Sequence, residues 1–387
     1  MRIVLVGPAH PLRGGIAHHT ASLSLALGRK HEVNLISFRR QYPSLLFPGR
    51  SQHDCSSSAL VVPSLPLIDS LSPGSWAEAG RRIEAWEPDV ILFQWWQPFF
   101  GPAYRSVIKS VGSRRRVTVL LYCHNVLAHP EWRVPGRRML ERRLAKQTFR
   151  VVDGFLVQAS SMIPEVHALC PGALVERVYH PLYDFFTQWD LSTPRVEESR
   201  EPELLFFGNI RRYKGLEVFL RALGILRAEM PFRAVIAGEF YMDPRPFHRM
   251  AEQLGIAGRI TWLDRYIPNE DVPSLFRRAD LVVLPYLEAS QSGVVPVAYL
   301  FNVPVVASDV GGLAEVVVDG ETGFLVPPGN PKALAEAVVR FFREQRAVLF
   351  RKNIEEFRLR LTWDGLVESI EKLADRVAEK GRECGAD

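Results

Sequence analysis

The chain has 387 residues, 47% hydrophobic and 24% charged, which is enough apolar material for two or three domain cores and excludes a disordered chain. Its 48 Lys and Arg exceed its 43 Asp and Glu, giving a net charge of +5 and a pI near 9.1; this suits anionic substrates or an anionic membrane surface without requiring nucleic acid. Cys55, Cys123, Cys170 and Cys384 are scattered without Cys-x-x-Cys spacing, which argues against a disulfide framework or a cysteine zinc site and for a reducing cytoplasm.

The opening MRIVLVGPAHP holds an apolar run too short for a signal-peptide core, and no run elsewhere approaches the ~18 residues of a membrane span. Any membrane contact is then peripheral. Apolar and amphipathic runs alternate from there: a strand over 3–6, a helix over 16–27, a strand over 33–38, a long helix before a strand at 90–94, then strands at 117–122 and 155–158. This alternation is the pattern of a doubly wound parallel sheet. Between the first strand and first helix, Gly14 and Gly15 let backbone approach a ligand, although the loop is not a dinucleotide fingerprint. Such a loop is otherwise a simple connection.

His124 ends the 117–122 strand, on the edge where open sheets bind ligands. It is either a ligand-facing group or a satisfied structural histidine, as are His18 and His129. Trp95, Trp96, Phe99 and Phe100 end the neighbouring strand and either stack on an acceptor or fill the core. Residues 131–150 interleave Arg133, Arg137, Arg138, Arg142, Arg143, Lys146 and Arg150 with Met139, Leu140, Leu144 and Phe149. On a helix they form a basic amphipathic face suited to anionic headgroups, or an ordinary solvated face.

From 187 to 203 the composition turns charged and proline-bearing, as in an interdomain linker. The alternation then restarts: strand 204–207, helix 215–229, strand 233–237, helix 244–254, and strands at 260–263, 281–284 and 303–307. Arg211 and Lys214 follow the first of these strands, while Arg212 is read as a surface residue. A bare R-x-x-K turn is more often a solvated basic loop. Two fixed cations in a cleft, however, stabilise a leaving diphosphate as its charge develops, which lowers the barrier to its departure. Glu239, after Gly238, sits at a switch-point position for a ribose or base and is otherwise a helix-capping acid. Ser290-Gln291-Ser292-Gly293 exposes backbone N–H groups and hydroxyls ahead of Val294 and a helix, an arrangement that fits a phosphate. Glu288 precedes it, and Glu315 follows Gly311-Gly312 as a further hydroxyl-binding candidate. The last segment carries Leu366, Ile370, Leu373 and Val377 as a helix stripe.

The segments Phe207-Gly208-Asn209-Ile210-Arg211-Arg212-Tyr213-Lys214-Gly215 and Gln291-Ser292-Gly293-Val294, in this order and spacing, resemble a subgroup of the glycosyltransferases of family 4. The resemblance covers most of the chain and is strongest at 3–20, 204–223 and 284–327. It implies an α/β chain of two facing Rossmann-like domains (GT-B), with parallel sheets and helices on both faces: an acceptor domain at 1–186, the linker at 187–203, a donor domain at 204–360, and a final helix at 361–387 crossing back to the first domain. It also implies a retaining transfer of sugar from a nucleoside-diphosphate donor to an acceptor hydroxyl in glycan, polysaccharide or glycolipid synthesis, with no metal or other cofactor and no nucleic-acid partner. Arg211, Lys214, His124 and Glu288 then become the catalytic candidates. Gly14, Gly15, Gly208, Glu239, Gln291, Ser292, Gly293, Val294 and Glu315 become the donor-binding ones. One departure stands out: the paired glutamates common in the family map to Ser290 and Ala298 when anchored on Gly293, or to Ala289 and Val297 when anchored on Val303-Pro304. Other readings are an epimerase or phosphorylase of the same fold, or a non-catalytic binder of nucleotide sugars. A dehydrogenase is disfavoured because the fingerprint glycines and ribose-binding acid are missing.

Overall fold

The computed structural model describes residues 1–43, 47, 49–112, 117–128, 136–189 and 201–383. The first part runs β1 (Arg2–Val6), α1 (Gly15–Leu27), β2 (Glu32–Arg40), β3 (Leu65–Asp69), α2 (Pro73–Ala85), β4 (Val90–Trp95), α3 (Gly101–Ser110), β5 (Thr118–Cys123), α4 (Arg137–Phe149), β6 (Gly154–Val157), α5 (Met162–Leu169) and β7 (Leu174–Arg177). Its strands form a seven-stranded sheet in the order β3-β2-β1-β4-β5-β6-β7, with every pairing parallel. Strand residues alternate between the two faces. Val4, Val6, Ile91, Phe93 and Trp95 join one core, while Ile3, Leu5, Val90 and Leu92 join another on the opposite side. Trp95, Trp96 and Phe100 are core residues. Helices cover both sides, which is why the strands read as continuous apolar runs.

The second part runs β8 (Glu203–Phe207), α6 (Leu216–Leu226), β9 (Arg233–Ala237), α7 (Arg245–Gln253), β10 (Ile260–Leu263), α8 (Val272–Arg278), β11 (Leu281–Leu284), α9 (Val294–Leu300), β12 (Val305–Ser308), β13 (Gly323–Val326), α10 (Pro331–Arg343), α11 (Ala347–Phe357) and α12 (Trp363–Glu383). Six parallel strands lie in the order β10-β9-β8-β11-β12-β13. The start of α10 shows how local chemistry sets a boundary. The Asn330 side chain accepts from the Ala333 N–H at 3.0 Å, and Pro331 occupies the first turn, where its missing N–H costs nothing.

The stripe on α12 buries Trp363, Leu366, Val367, Ile370, Leu373, Ala374 and Val377 against Ile3, Leu5, Leu120 and Leu156 of the first sheet. Each such burial contributes about 2 kcal/mol relative to exposure. The chain's last helix therefore closes a core begun by its first strand. Most of the linker segment read at 187–203, namely 190–200, lies outside the described residues.

In each sheet the strand order reverses at one place, between β1 and β4 in the first and between β8 and β11 in the second, which opens a crevice at the carboxyl ends of those strands. The loops beyond β1, β2, β6 and β7 meet those beyond β9, β10, β11 and β12 across the space between the domains. This is where the candidate residues gather.

Candidate active site in the interdomain cleft

Lys214 is buried at the carboxyl end of β8, in a single turn of 3-10 helix spanning Arg212–Lys214. Its Nζ lies 2.8 Å from where a Gly208 side chain would begin, and the φ of 97° at Gly208 favours glycine there. The Tyr286 ring lies 5.6 Å from the same Nζ, and no carboxylate among the described residues pairs with it. Burial, reinforced by the nearby Arg211, lowers its pKa to about 7. The Arg211 guanidinium lies over the Tyr241 ring at 4.6 Å, and Arg212 is exposed, as read from the sequence.

Gly238 ends β9 in close approach to this loop. A side chain there would begin 2.2 Å from the Gly208 carbonyl oxygen, and its φ of 150° belongs to glycine. Glu239 follows and is almost fully buried. The Arg13 guanidinium donates to one of its oxygens and the Arg50 backbone N–H to the other, so both partners come from the first domain. Asp264, beyond β10, pairs with the Arg50 side chain at 3.0 Å. The carboxylate expected to hold ribose or base is thus already held across the cleft.

On the other side, Tyr286 lies 3.4 Å from the Ser292 hydroxyl, which accepts the Val294 N–H at 3.2 Å. The N–H expected to face phosphate is therefore used within its own turn. Gly312 N–H donates to the Ser290 carbonyl at 2.9 Å, which fixes the 290–293 loop to the turn after β12. Gln291 is half-buried, and its Oε1 has no partner. Glu288 is exposed. Glu315 bridges the domains, accepting from the Ser160 N–H at 2.6 Å and from Arg177 at 3.1 Å.

The first domain supplies a buried polar wall. Gly14, with φ 106°, precedes α1, on which His19 is fully buried. His124 donates from Nε2 to Gln94 Oε1 at 2.7 Å. His180, just beyond β7, donates from Nδ1 to the Pro181 carbonyl at 2.8 Å and presents Nε2 to the Tyr183 hydroxyl at 3.1 Å. Tyr183 also lies 3.2 Å from the Gly15 carbonyl, and a side chain at Gly293 would begin 3.3 Å from its hydroxyl. Burial holds His19 and His124 well below the usual histidine range and brings His180 to about 4, so all three rings are neutral at pH 7. His18 lies against Phe185 with ring centroids 4.8 Å apart and the planes tilted by 57°, and His129 lies outside the described residues. Among the described residues, no three His, Cys, Asp or Glu side chains cluster so as to hold a metal ion.

The arrangement sets cations of the second domain and neutral hydrogen-bonding groups of the first at the facing edges of the two sheets. Sequence patterns for the family described as Glycosyltransferase Family 4 match residues 13–181, and those for Glycosyl transferases group 1 match 201–344, together covering most of the chain. The chain belongs to the family 4 glycosyltransferases. Among curated relatives of this glycosyltransferase, a D-inositol 3-phosphate glycosyltransferase of Paenarthrobacter aurescens (strain TC1) is 36% identical over 241 residues, or 57% of this chain and 59% of the relative. That of Corynebacterium glutamicum (strain R) is 34% identical over 182 residues, 45% and 42% of the two chains. The chain spans about half the length of the curated relatives it matches.

The fold matches sucrose-phosphate synthase of Thermosynechococcus elongatus over 100% of both chains, with a TM-score of 0.70 and 18% identity. It also matches Anabaena HepE, solved in complex with UDP, over 99% of this chain and 100% of that one, with a TM-score of 0.69 and 17% identity. These likenesses show the GT-B architecture of two parallel-sheet domains.

Sequence reasoning did not single out His180, Tyr183, Arg13 and Arg50. The first two follow β7, a four-residue edge strand (Leu-Val-Glu-Arg) too short and polar to announce a carboxyl edge. His-Pro-Leu-Tyr placed after such an edge was the available signal.

Proposed function

We propose that this glycosyltransferase moves a sugar from a nucleoside-diphosphate donor to an acceptor hydroxyl with retention of anomeric configuration, in glycan, polysaccharide or glycolipid synthesis. The observation that carries the reading is Lys214: a buried ammonium group with no carboxylate partner among the described residues, beside Arg211, at the switch point of the second sheet. Burying a cation without a counter-charge costs stability, and an anionic ligand offsets that cost. As the glycosidic bond to the diphosphate breaks, charge builds on the phosphate oxygens, and Arg211 and Lys214 stabilise it more in the transition state than in the bound donor. These side chains do the work that a metal would otherwise do, which makes the reaction metal-independent. The departing phosphate is the base that takes the acceptor's proton, and neutral His124 orients the sugar from the facing domain.

Three solved complexes of HepE, with UDP, with UDP and glucose, and with UDP-glucose, favour a nucleotide-sugar ligand by analogy of fold. We assign peripheral membrane contact to α4. Its Arg138, Arg142, Arg143, Lys146 and Arg150 are exposed beside Met139 and Leu140, which are 76% and 57% exposed. No helix among the described residues is long and apolar enough to cross a membrane.

The test is a panel of nucleotide sugars mixed with the full chain. The cognate donor raises the melting temperature, and with an acceptor present it releases nucleoside diphosphate; Arg211→Ala abolishes that release while keeping the fold. NMR of the product shows the donor's anomeric configuration retained. A panel in which no donor shifts the melting temperature sinks the proposal.

A further inference from the structure

Two loops of the first domain are zipped into one unit. The Arg13 N–H, between β1 and α1, donates to the Gln52 carbonyl at 3.0 Å, and the Asp54 N–H, between β2 and β3, donates to the Pro11 carbonyl at 2.8 Å. Leu12 and His53 form the antiparallel bridge between those bonds. The same unit reaches the second domain. The Arg13 guanidinium and the Arg50 N–H take one oxygen each of Glu239, beyond β9. The Arg50 guanidinium reaches the carbonyl and carboxylate of Asp264, beyond β10, at 3.1 and 3.0 Å. Farther along, the Ser57 N–H and hydroxyl both donate to Glu270, at 2.9 and 2.8 Å. The Ser56 hydroxyl donates to Asp54 at 2.6 Å and accepts from the N–H of buried Asn269 at 2.9 Å. Glu239 and Asp264 follow the strands next to β8, at whose carboxyl end Arg211 and Lys214 lie. Lys214, Glu239 and His124 are 8%, 1% and 4% exposed, so in this conformation the groups read as binding or activating a nucleotide sugar are shut away from solvent. A nucleoside hydroxyl that binds Glu239 must first displace Arg13 and Arg50.

We propose that this clasp, residues 11–13 with 50–57, is an autoinhibitory latch: it holds the cleft shut through Glu239, Asp264, Asn269 and Glu270, and lets go when a nucleoside diphosphate binds. The latch rests on the donor reading above and adds its regulation. Clasped and nucleotide-bound forms exclude each other, so the apparent affinity for nucleotide is the intrinsic one scaled by the fraction of molecules whose clasp is open. Weakening the clasp therefore tightens binding, the opposite of what a lid closing over its ligand would show.

The experiment is hydrogen exchange of the full chain read by mass spectrometry, beside calorimetric titration, with UDP, GDP and ADP. In the wild type, the diphosphate that binds speeds exchange across 50–57, where the Arg50 and Ser57 amides are released, while slowing it across 208–215. Ser56→Ala combined with Glu270→Ala takes the acceptor from the Asn269 N–H and one carboxylate from the clasp, and touches none of the donor-binding candidates. That variant binds the same diphosphate about tenfold more tightly than the wild type. Slowed or unchanged exchange across 50–57 in the wild type overturns the latch whatever the stability of the double variant. An unchanged or weaker affinity in a folded double variant overturns it as well. Both of those failures leave the donor reading standing; if none of the three diphosphates binds either protein, the donor reading fails and the latch with it.

Discussion

Lys214 is where a single residue's physics gives the sharpest forecast. Its pKa, lowered to about 7 by burial and by Arg211, lies below the ordinary lysine value, so near pH 8 the unfolded chain binds more protons at this site than the folded one. The cost of the buried charge is therefore full below about pH 7 and fades as pH rises toward the ordinary lysine range of about 10.4. A bound diphosphate reverses this by favouring the protonated form. Nucleoside-diphosphate affinity is accordingly expected to fall roughly tenfold between about pH 7 and pH 9, where the ligand itself is already fully ionised. Lys214→Met should bind weakly with a flat profile. Titration calorimetry in buffers of different ionisation heat checks both, since the wild type must take up protons on binding; a flat wild-type profile overturns the assignment. Arg211 and Lys214 were legible in the sequence because three-residue spacing after a buried strand is a local pattern. Tyr183 was not, because its neighbours Gly15 and Gly293 stand more than a hundred residues away and only tertiary packing brings them together.

At the scale of elements, long periodic segments were readable and short edge strands were not. α12 shows its stripe at Leu366, Ile370, Leu373 and Val377 because one face is buried along its length. β3 escaped notice because Pro66 interrupts a five-residue run, and proline is tolerated there only because β3 is the outermost strand of its sheet. α4 was visible as a basic amphipathic segment, and the structure shows which residues remain outside. Arg137 is taken up by Glu141 at 2.7 Å, whereas Arg138, Arg142, Arg143, Lys146 and Arg150 face outward. If this face meets a bilayer, flotation should recover the protein with vesicles containing phosphatidylglycerol but not with phosphatidylcholine alone, and about 0.5 M salt should release it. Each cation near an anionic surface contributes about 1 kcal/mol, so replacing Arg138, Arg142 and Lys146 together by serine should weaken partitioning by roughly a hundredfold. An unchanged partition coefficient in that triple variant removes α4 as the contact.

The whole molecule carries a constraint that no element shows alone: its two domains are pinned across the cleft by polar contacts at several places. Among them are Glu315 with Ser160 and Arg177, Glu239 with Arg13 and Arg50, and Asn269 and Glu270 with Ser56 and Ser57. The pinning at Glu239 matters most because it pairs two buried charges. The Arg13 and Glu239 side chains are 7% and 1% exposed, whereas Arg50, paired with Asp264, is 66% exposed and so contributes less than about 1 kcal/mol. Removing one member of a buried pair strands the other charge at a cost of about 3–5 kcal/mol. The molecule has a way to lower that cost: if the domains part, water reaches Glu239. Arg13→Ala is therefore expected to open the ligand-free cleft rather than to unfold either domain, since Arg13 lies in a loop outside both sheets. Small-angle scattering should show a larger radius of gyration than for the wild type, together with a lower melting temperature. Glu239→Gln combined with Arg13→Ala leaves no stranded charge and should recover part of the melting temperature. A single variant that loses stability without expanding would mean that the interdomain closure does not depend on this pair.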